Sequence, residues 1–146
     1  MRKILGKLVL FGFIAAIGLA LLIQLIPYGR DHTNPPVSGE PNWDSPQTQA
    51  LAKRACFDCH SNETVWPWYS NIAPVSWLVY HDVEEGRREL NFSEWNSSHH
   101  EETGEIIEAI QEGKMPMPIY LLQHPEAKLS ATEKQALIDG FRISLK

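Results

Sequence analysis

The five residues Cys56-Phe57-Asp58-Cys59-His60 constrain this chain more than any other feature of its sequence. Two cysteines three positions apart share one face of a helical turn, and a histidine follows at once. In this pattern the two sulfurs bond to the vinyl groups of one haem, and the histidine becomes the proximal iron ligand. The motif therefore predicts one covalently attached haem c per chain, held by Cys56 and Cys59 and ligated by His60.

Two other chemistries use a Cys-x-x-Cys pair. A structural zinc site usually has four protein ligands, but this chain of 146 residues contains only two cysteines, both in the motif. A thioredoxin-like dithiol requires a βαβ setting, which the surrounding sequence does not offer. The histidine after the second cysteine favours haem over both, and a thiol redox module is the interpretation that remains without haem.

The N-terminus predicts a membrane anchor over residues 1–27. Three basic residues lie within the first seven positions, and Gln24 is the only strongly polar residue of the apolar stretch 8–26. A bilayer-spanning helix needs about 20 apolar residues, whereas the apolar region of a signal peptide usually has about 7–15. We therefore predict an uncleaved anchor, with a cleaved signal peptide as the alternative.

The basic flank also predicts the orientation of that anchor. Lysine and arginine favour the cytoplasmic side of a membrane, so the N-terminus is expected in the cytoplasm and the rest of the chain outside it. Covalent haem attachment in bacteria takes place on that outer side. The predicted location is therefore the inner (cytoplasmic) membrane, crossed once, with a periplasmic or otherwise extracytoplasmic haem domain.

The charge of the chain limits its partners. The formal net charge is −5, and three of the 13 basic residues lie before residue 8, so the exported part is more acidic than the whole. An acidic surface repels nucleic acid and suits redox partner proteins with basic docking surfaces. The other expected partners are the haem-attachment machinery and the membrane.

Residues 28–44 are rich in proline and glycine and predict an extended linker. The haem-binding domain is predicted over 45–146, where Ser45-Pro46 is typical of a helix start. Further helices are expected over 75–89, over 101–112, and after a capping box formed by Ser130 and Glu133.

Three finer expectations concern these helices and the segment after the motif. Gly140 is expected to permit a close crossing of the last helix with the first helix of the domain. On the helix over 75–89, Leu78 and Val83 are assigned to the apolar side, and Arg87 to a solvated face. The aromatic residues at 66, 68 and 69 are expected to form a wall of the haem pocket, and the histidine pair at 99–100 is interpreted as surface.

A second iron ligand is expected in Lys114-Met115-Pro116-Met117-Pro118. Prolines stiffen the backbone around the two methionines. A methionine in this segment would therefore lose little conformational entropy when its sulfur binds the iron. Met115 and Met117 are the only methionines besides Met1. Either could be the distal ligand, and His124 is the alternative.

The order of a helix ending in the motif, a late Met-Pro loop and a final capped helix resembles single-haem class I-like cytochromes c. More specifically, residues 26–36, 55–77 and 115–130 resemble the bacterial membrane-anchored haem-binding domain family. This resemblance implies an exported, covalently bound haem. It also favours Met115 as the distal ligand, because the family's equivalent methionine is the more regular one.

These observations predict a mostly α fold, a cytochrome c-like small helical haem domain preceded by one N-terminal transmembrane helix. The predicted function is one-electron transfer without bond-making catalysis. A haem-based redox or gas sensor, or a ligand-binding module, would instead have a weak sixth ligand. A peroxidase-type enzyme would need an open iron site and acid–base groups, for which His124 and Glu126 are the candidates.

Overall fold

A computed structural model describes residues 2–95 and 103–145, and these are mostly helical, as predicted. Within those two ranges there is no β-strand, only an isolated bridge between Gly39 and Glu94. Short 3-10 helices cover Trp68–Asn71, Tyr120–Leu122 and Pro125–Ala127. The α-helices are α1 (Arg2–Ile23), α2 (Pro46–Ala55), α3 (Phe57–His60), α4 (Val75–Glu89), α5 (Thr103–Gln111) and α6 (Ala131–Ser144).

The chain divides into two compact units. The N-terminal unit comprises Met1–His32 and Trp66–His81, and the main unit comprises Thr33–Val65 and Asp82–Lys146. Part of the predicted linker is hydrogen-bonded within the main unit: the Ser38 N–H donates to the Ser93 carbonyl at 2.9 Å. The domain boundaries proposed from the sequence stay a prediction.

Helix α1 of the N-terminal unit has the length and composition of a membrane span. Its residues Ile4–Ile23 form a stretch of 20 residues with a mean hydropathy of 2.4, and none of that stretch is buried. At about 1.5 Å per residue, it is as long as a bilayer's hydrocarbon core is thick, about 30 Å. The helix is therefore long and apolar enough to cross a membrane.

Helix α2 begins where the sequence predicts. The Ser45 hydroxyl accepts a hydrogen bond from the Thr48 N–H at 3.2 Å, and Pro46 occupies the first helical position. The backbone N–H groups in the first turn of a helix have no partner within the helix. The Ser45 hydroxyl provides a partner for one of them, and Pro46 has no N–H group that would need one. The helix buries Leu51, Ala52 and Ala55.

Helix α6 begins with the predicted capping box. The Ser130 hydroxyl accepts from the Glu133 N–H, and the Glu133 carboxylate accepts from the Ser130 N–H at 2.8 Å. Arg54 of α2 forms an ion pair with Glu133 at 2.6 Å. The hydrogen bond from the Ser130 backbone, followed by those from Arg54 and the Ser130 side chain, lowers the pKa of Glu133 to about 2.

The core of the main unit is aromatic at its centre. Phe57 and Phe92 stack with ring centroids 5.4 Å apart, and Phe141 packs against Phe92 at 5.8 Å. All three side chains are buried. Because Phe57 lies between the two cysteines, this packing attaches the motif to α6 and to the segment after α4.

Two assignments on α4 were wrong. Arg87 does not lie on a solvated face, because its guanidinium donates to the Ser61 carbonyl at 2.8 Å and to the Thr64 hydroxyl at 2.9 Å. Leu78 is 50% exposed rather than buried, whereas Val83 is buried as predicted. Helical periodicity identifies a face but does not say which neighbour covers it.

Helix α5 is described from Thr103 to Gln111 and buries Ile106 and Ile110. The first two residues of the predicted helix, at 101 and 102, lie outside the described residues, as does the histidine pair at 99–100.

Gly140 provides the close crossing that the sequence predicts. A Cβ atom at this position would lie 2.1 Å from the Thr48 hydroxyl oxygen, so α6 approaches α2 too closely for any side chain. We expect Gly140→Ala to lower the free energy of unfolding by about 1–3 kcal/mol, as overpacked cores do, measured by thermal denaturation.

The control is Gly104→Ala in α5, where a Cβ would have no neighbour within 4 Å. Alanine favours a helix by about 1 kcal/mol over glycine, so this variant should be at least as stable as the wild type. A Gly140→Ala protein with wild-type stability would contradict the crossing.

Candidate functional site

A cavity of about 280 Å³ in the main unit is lined by the predicted site residues. The residues of the motif that line it are Cys56, Asp58, Cys59 and His60, and both Met115 and Met117 also line it. The fold thus brings the motif together with a loop that follows it by more than fifty residues.

His124, the alternative distal ligand, is not among the residues that line the cavity. Its ring stacks on the Tyr120 ring with centroids 4.2 Å apart. Its Nδ1 atom lies 3.2 Å from a carboxylate oxygen of Glu126. The choice between Met115, Met117 and His124 stays a prediction.

The two cysteines lie where α2 ends and α3 begins. The Cys56 N–H donates to the Ala52 carbonyl at 2.8 Å, and the His60 N–H donates to the Cys56 carbonyl at 2.9 Å. These backbone bonds hold the motif as a helical turn, with both sulfur-bearing residues on the cavity wall.

Both cysteines are present as thiols rather than as a disulfide. Burial, with a contribution from Cys59, raises the pKa of Cys56 to about 12. Burial and the carboxylates of Asp58 and Asp82 raise the pKa of Cys59 to about 12. Redox-active dithiols instead have a lowered pKa that favours the thiolate, so the environment does not favour a thioredoxin-like function.

The His60 ring is held in one tautomer. Its Nδ1 atom lies 2.9 Å from the Gly86 carbonyl oxygen and 3.1 Å from that of Leu90. Carbonyl oxygens only accept hydrogen bonds, so Nδ1 carries the proton and Nε2 keeps its lone pair. Burial lowers the pKa of His60. The neutral imidazole therefore has the form that binds a metal through Nε2.

Gly86 makes this arrangement possible, and its role was not predicted from the sequence. A Cβ atom at Gly86 would lie 2.6 Å from the Cys59 carbonyl oxygen, so α4 approaches the motif backbone to backbone. The available signal was a glycine in the middle of a predicted helix, which costs stability and often has a packing reason.

Asp58 and Tyr120 connect the motif to the loop that carries the two methionines. The Tyr120 hydroxyl donates to the Asp58 carboxylate at 2.7 Å. Burial, together with this carboxylate, raises the pKa of Tyr120, so the hydroxyl keeps its proton. The sequence offered no signal for this pair, because the two residues are far apart along the chain.

The remaining walls of the cavity are largely apolar, and some charged residues also line it. The aromatic lining residues are Phe92, Tyr120 and Phe141. Those at 66, 68 and 69 belong to the N-terminal unit and are not among the lining residues, and their expected part in a haem pocket stays a prediction. The other apolar side chains at the cavity are Ala55, Leu90, Ile106, Ala109, Ile110 and Pro116, and the charged ones besides Asp58 are Asp82, Glu85, Glu89 and Lys114.

This set of side chains fits haem better than it fits a bare metal ion. No group of three or more His, Cys, Asp or Glu side chains among the described residues could hold a metal ion. A haem brings four iron ligands of its own and needs only axial donors from the protein. The cavity offers an imidazole and two thioethers as such donors, within largely apolar walls and beside two thiols.

Comparison with known proteins agrees with this fit. The family model described as a haem-binding domain matches residues 18–143, which include the motif, both methionines and most of α6. No curated protein and no solved structure is significantly similar to the chain. Because the family match spans most of the chain and includes the whole cavity, the protein belongs to the haem-binding domain family.

Proposed function

We propose that the protein is a membrane-tethered, extracytoplasmic c-type haem protein of the single-haem class I-like kind that transfers one electron at a time. The observation that carries this proposal is the cavity itself. It unites two partly buried thiols, a neutral histidine with a free Nε2 lone pair and two methionine sulfurs.

Cys56 and Cys59 would hold the cofactor covalently. Their thiols lie on one helical turn, and each would add to one vinyl group as a thioether. His60 would bind the iron through Nε2, while the carbonyl oxygens of Gly86 and Leu90 keep its Nδ1 proton in place. Such hydrogen bonds orient the ring and increase its basicity as a ligand.

Met115 is the proposed distal ligand. Haem supplies an iron atom that accepts and releases one electron, and methionine–histidine ligation raises its reduction potential. A methionine sulfur bound to the iron would also keep exogenous ligands away. Met115 is 36% exposed, so burial in the core does not hold this residue in place. This property suits a side chain that turns toward a ligand.

The location and the partners follow from the N-terminal helix. Its 20-residue apolar stretch would keep the haem unit beside redox partner proteins at the membrane. An acidic exported part favours a partner with a basic docking surface. Haem-attachment machinery outside the cytoplasm would catalyse formation of the thioethers.

The first prediction is a covalent chromophore. The full chain, coexpressed with haem-attachment machinery, should keep its haem through acid–acetone extraction, as measured by absorption spectroscopy. The Cys56→Ala, Cys59→Ala double variant should lose the haem in the same extraction, because it lacks both thioethers. Extractable haem in the wild type would show a non-covalent haem protein, and no haem at all would contradict the proposal.

The second prediction separates the two methionines. Met115→Ala should abolish the far-red methionine-to-ferric-iron band, lower the reduction potential and allow carbon monoxide to bind the reduced protein. Met117→Ala is the matched control, two residues away on the same cavity wall, and should keep the band. The opposite pattern would assign the ligand to Met117. A band that persists in both variants would show that either methionine can bind the iron when the other is absent, whereas a wild type without the band would turn attention to His124 and to the sensor and enzyme functions.

The third prediction concerns the bond between Tyr120 and Asp58. Tyr120→Phe removes the donor but keeps the ring, so we expect a loss of about 1 kcal/mol in unfolding free energy and faster carbon monoxide binding as the methionine loop loosens. Tyr28→Phe is the control, because Tyr28 packs against Tyr80 within the N-terminal unit. Equal carbon monoxide kinetics in both variants would argue against a role of Tyr120 in closing the site.

A further inference from the structure

The segment between the motif and the charged part of α4 has an unusual composition. Residues 66–80 contain no charged side chain, although 31 of the 146 residues are Asp, Glu, Lys or Arg. The segment holds three of the five tryptophans, Trp66, Trp68 and Trp77, and two of the four tyrosines. All of it belongs to the N-terminal unit, together with α1.

Several large side chains of this segment are exposed. Trp68 is 76% exposed, and Ile72, Val75 and Leu78 are each between 43% and 50% exposed. Val75 and Leu78 are three positions apart on α4, a spacing that places their side chains on one face of that helix, and Ile72 lies in the extended segment before it. The chain thus presents an apolar strip that leads from the 3-10 helix Trp68–Asn71 along the first turns of α4.

Hydrogen bonds attach this strip to the end of α1. The Gln24 side-chain amide donates to the Ala73 carbonyl at 2.9 Å and accepts from the Ala73 N–H at 3.0 Å. Both polar atoms of one side chain therefore bond to one backbone residue. Gln24 follows the last residue of α1, so the strip begins at the C-terminal end of the membrane-length helix.

Two further contacts hold α4 against the turn after α1. A Cβ atom at Gly29, where φ is +74°, would lie 2.5 Å from the Ser76 carbonyl oxygen, so the two backbones meet directly. The Tyr28 and Tyr80 rings pack edge to face with centroids 5.3 Å apart. In the same turn Leu25 is 78% exposed, and the Arg30 guanidinium donates to the Gln24 carbonyl.

We propose that Leu25, Trp68, Ile72, Val75 and Leu78 form an interfacial surface that lies in the headgroup layer of the bilayer crossed by α1. This inference rests on the proposed membrane tether. Tryptophan and tyrosine favour the boundary between hydrocarbon and water. An exposed apolar surface that includes a tryptophan and no charged side chain is suited to the same boundary.

The position of the surface identifies lipid as its occupant. An exposed apolar patch could also bind a protein, but this one is continuous with a helix of membrane length and is bonded to its end. If α1 spans the bilayer, the hydrogen bonds from Gln24 keep Ala73 at the membrane boundary. The aliphatic and indole side chains would then contact lipid, while Arg30 lies at the level of the headgroups.

The test uses the full haem-loaded chain in phospholipid nanodiscs, with a nitroxide spin label on single introduced cysteines. Val75→Cys and Leu78→Cys probe the surface, and both keep Trp68. Ile14→Cys, in the middle of α1 and 55% exposed, reports on the tether. Ile143→Cys is the matched control, 58% exposed on α6 beside the ion pair of Asp139 and Arg142. Collisions with oxygen and with a water-soluble nickel chelate are measured by electron paramagnetic resonance.

We expect labels at Val75 and Leu78 to be several-fold less accessible to the nickel chelate than the label at Ile143. We also expect them to lie less deep in the bilayer than the label at Ile14.

Nickel accessibility equal to that of Ile143, with Ile14 in lipid, would overturn the interfacial surface and leave the tether intact. Protection from both reagents would overturn it in favour of a protein partner. An Ile14 label in water would overturn the tether, and labelling of the wild type would show that the motif cysteines carry no haem.

Discussion

The hydrogen bonds from His60 to Gly86 of α4 and to Leu90, just after this helix, are the interaction on which the site depends. They require the Gly86 and Leu90 carbonyl oxygens within 3.1 Å of Nδ1. They therefore require α4 to lie directly against the motif, which only a glycine at position 86 permits. Burial in this packing also keeps the ring neutral. One contact between two backbones thus determines the tautomer, the charge and the direction of the proposed iron ligand.

The surroundings of the motif are held by polar side chains that reach across the main unit. Arg87 bonds to the Ser61 carbonyl and to the Asn34 and Thr64 side chains, so one guanidinium joins three segments. Buried polar groups are costly unless they are paired. These bonds therefore hold the segment after the motif against α4.

The two units distribute the apolar surface of the protein differently. The main unit buries its aromatic residues around Phe92, whereas the N-terminal unit exposes Trp68 and nearly all of α1. A water-soluble protein rarely leaves so much apolar surface exposed without a partner. The two kinds of surface are consistent with one chain that meets both an internal cofactor and an external lipid phase.

The sequence by itself determined what depends on neighbouring residues: the Cys-x-x-Cys-His turn, the length of α1, the Ser45 cap and the Ser130–Glu133 capping box. These features are local, so spacing and residue type suffice. Only the tertiary structure decided the partners of distant residues, such as Tyr120 on Asp58, Arg87 on Ser61, and the exposed position of Leu78. Such partners depend on how helices pack, and a helical period specifies a face without naming its neighbour.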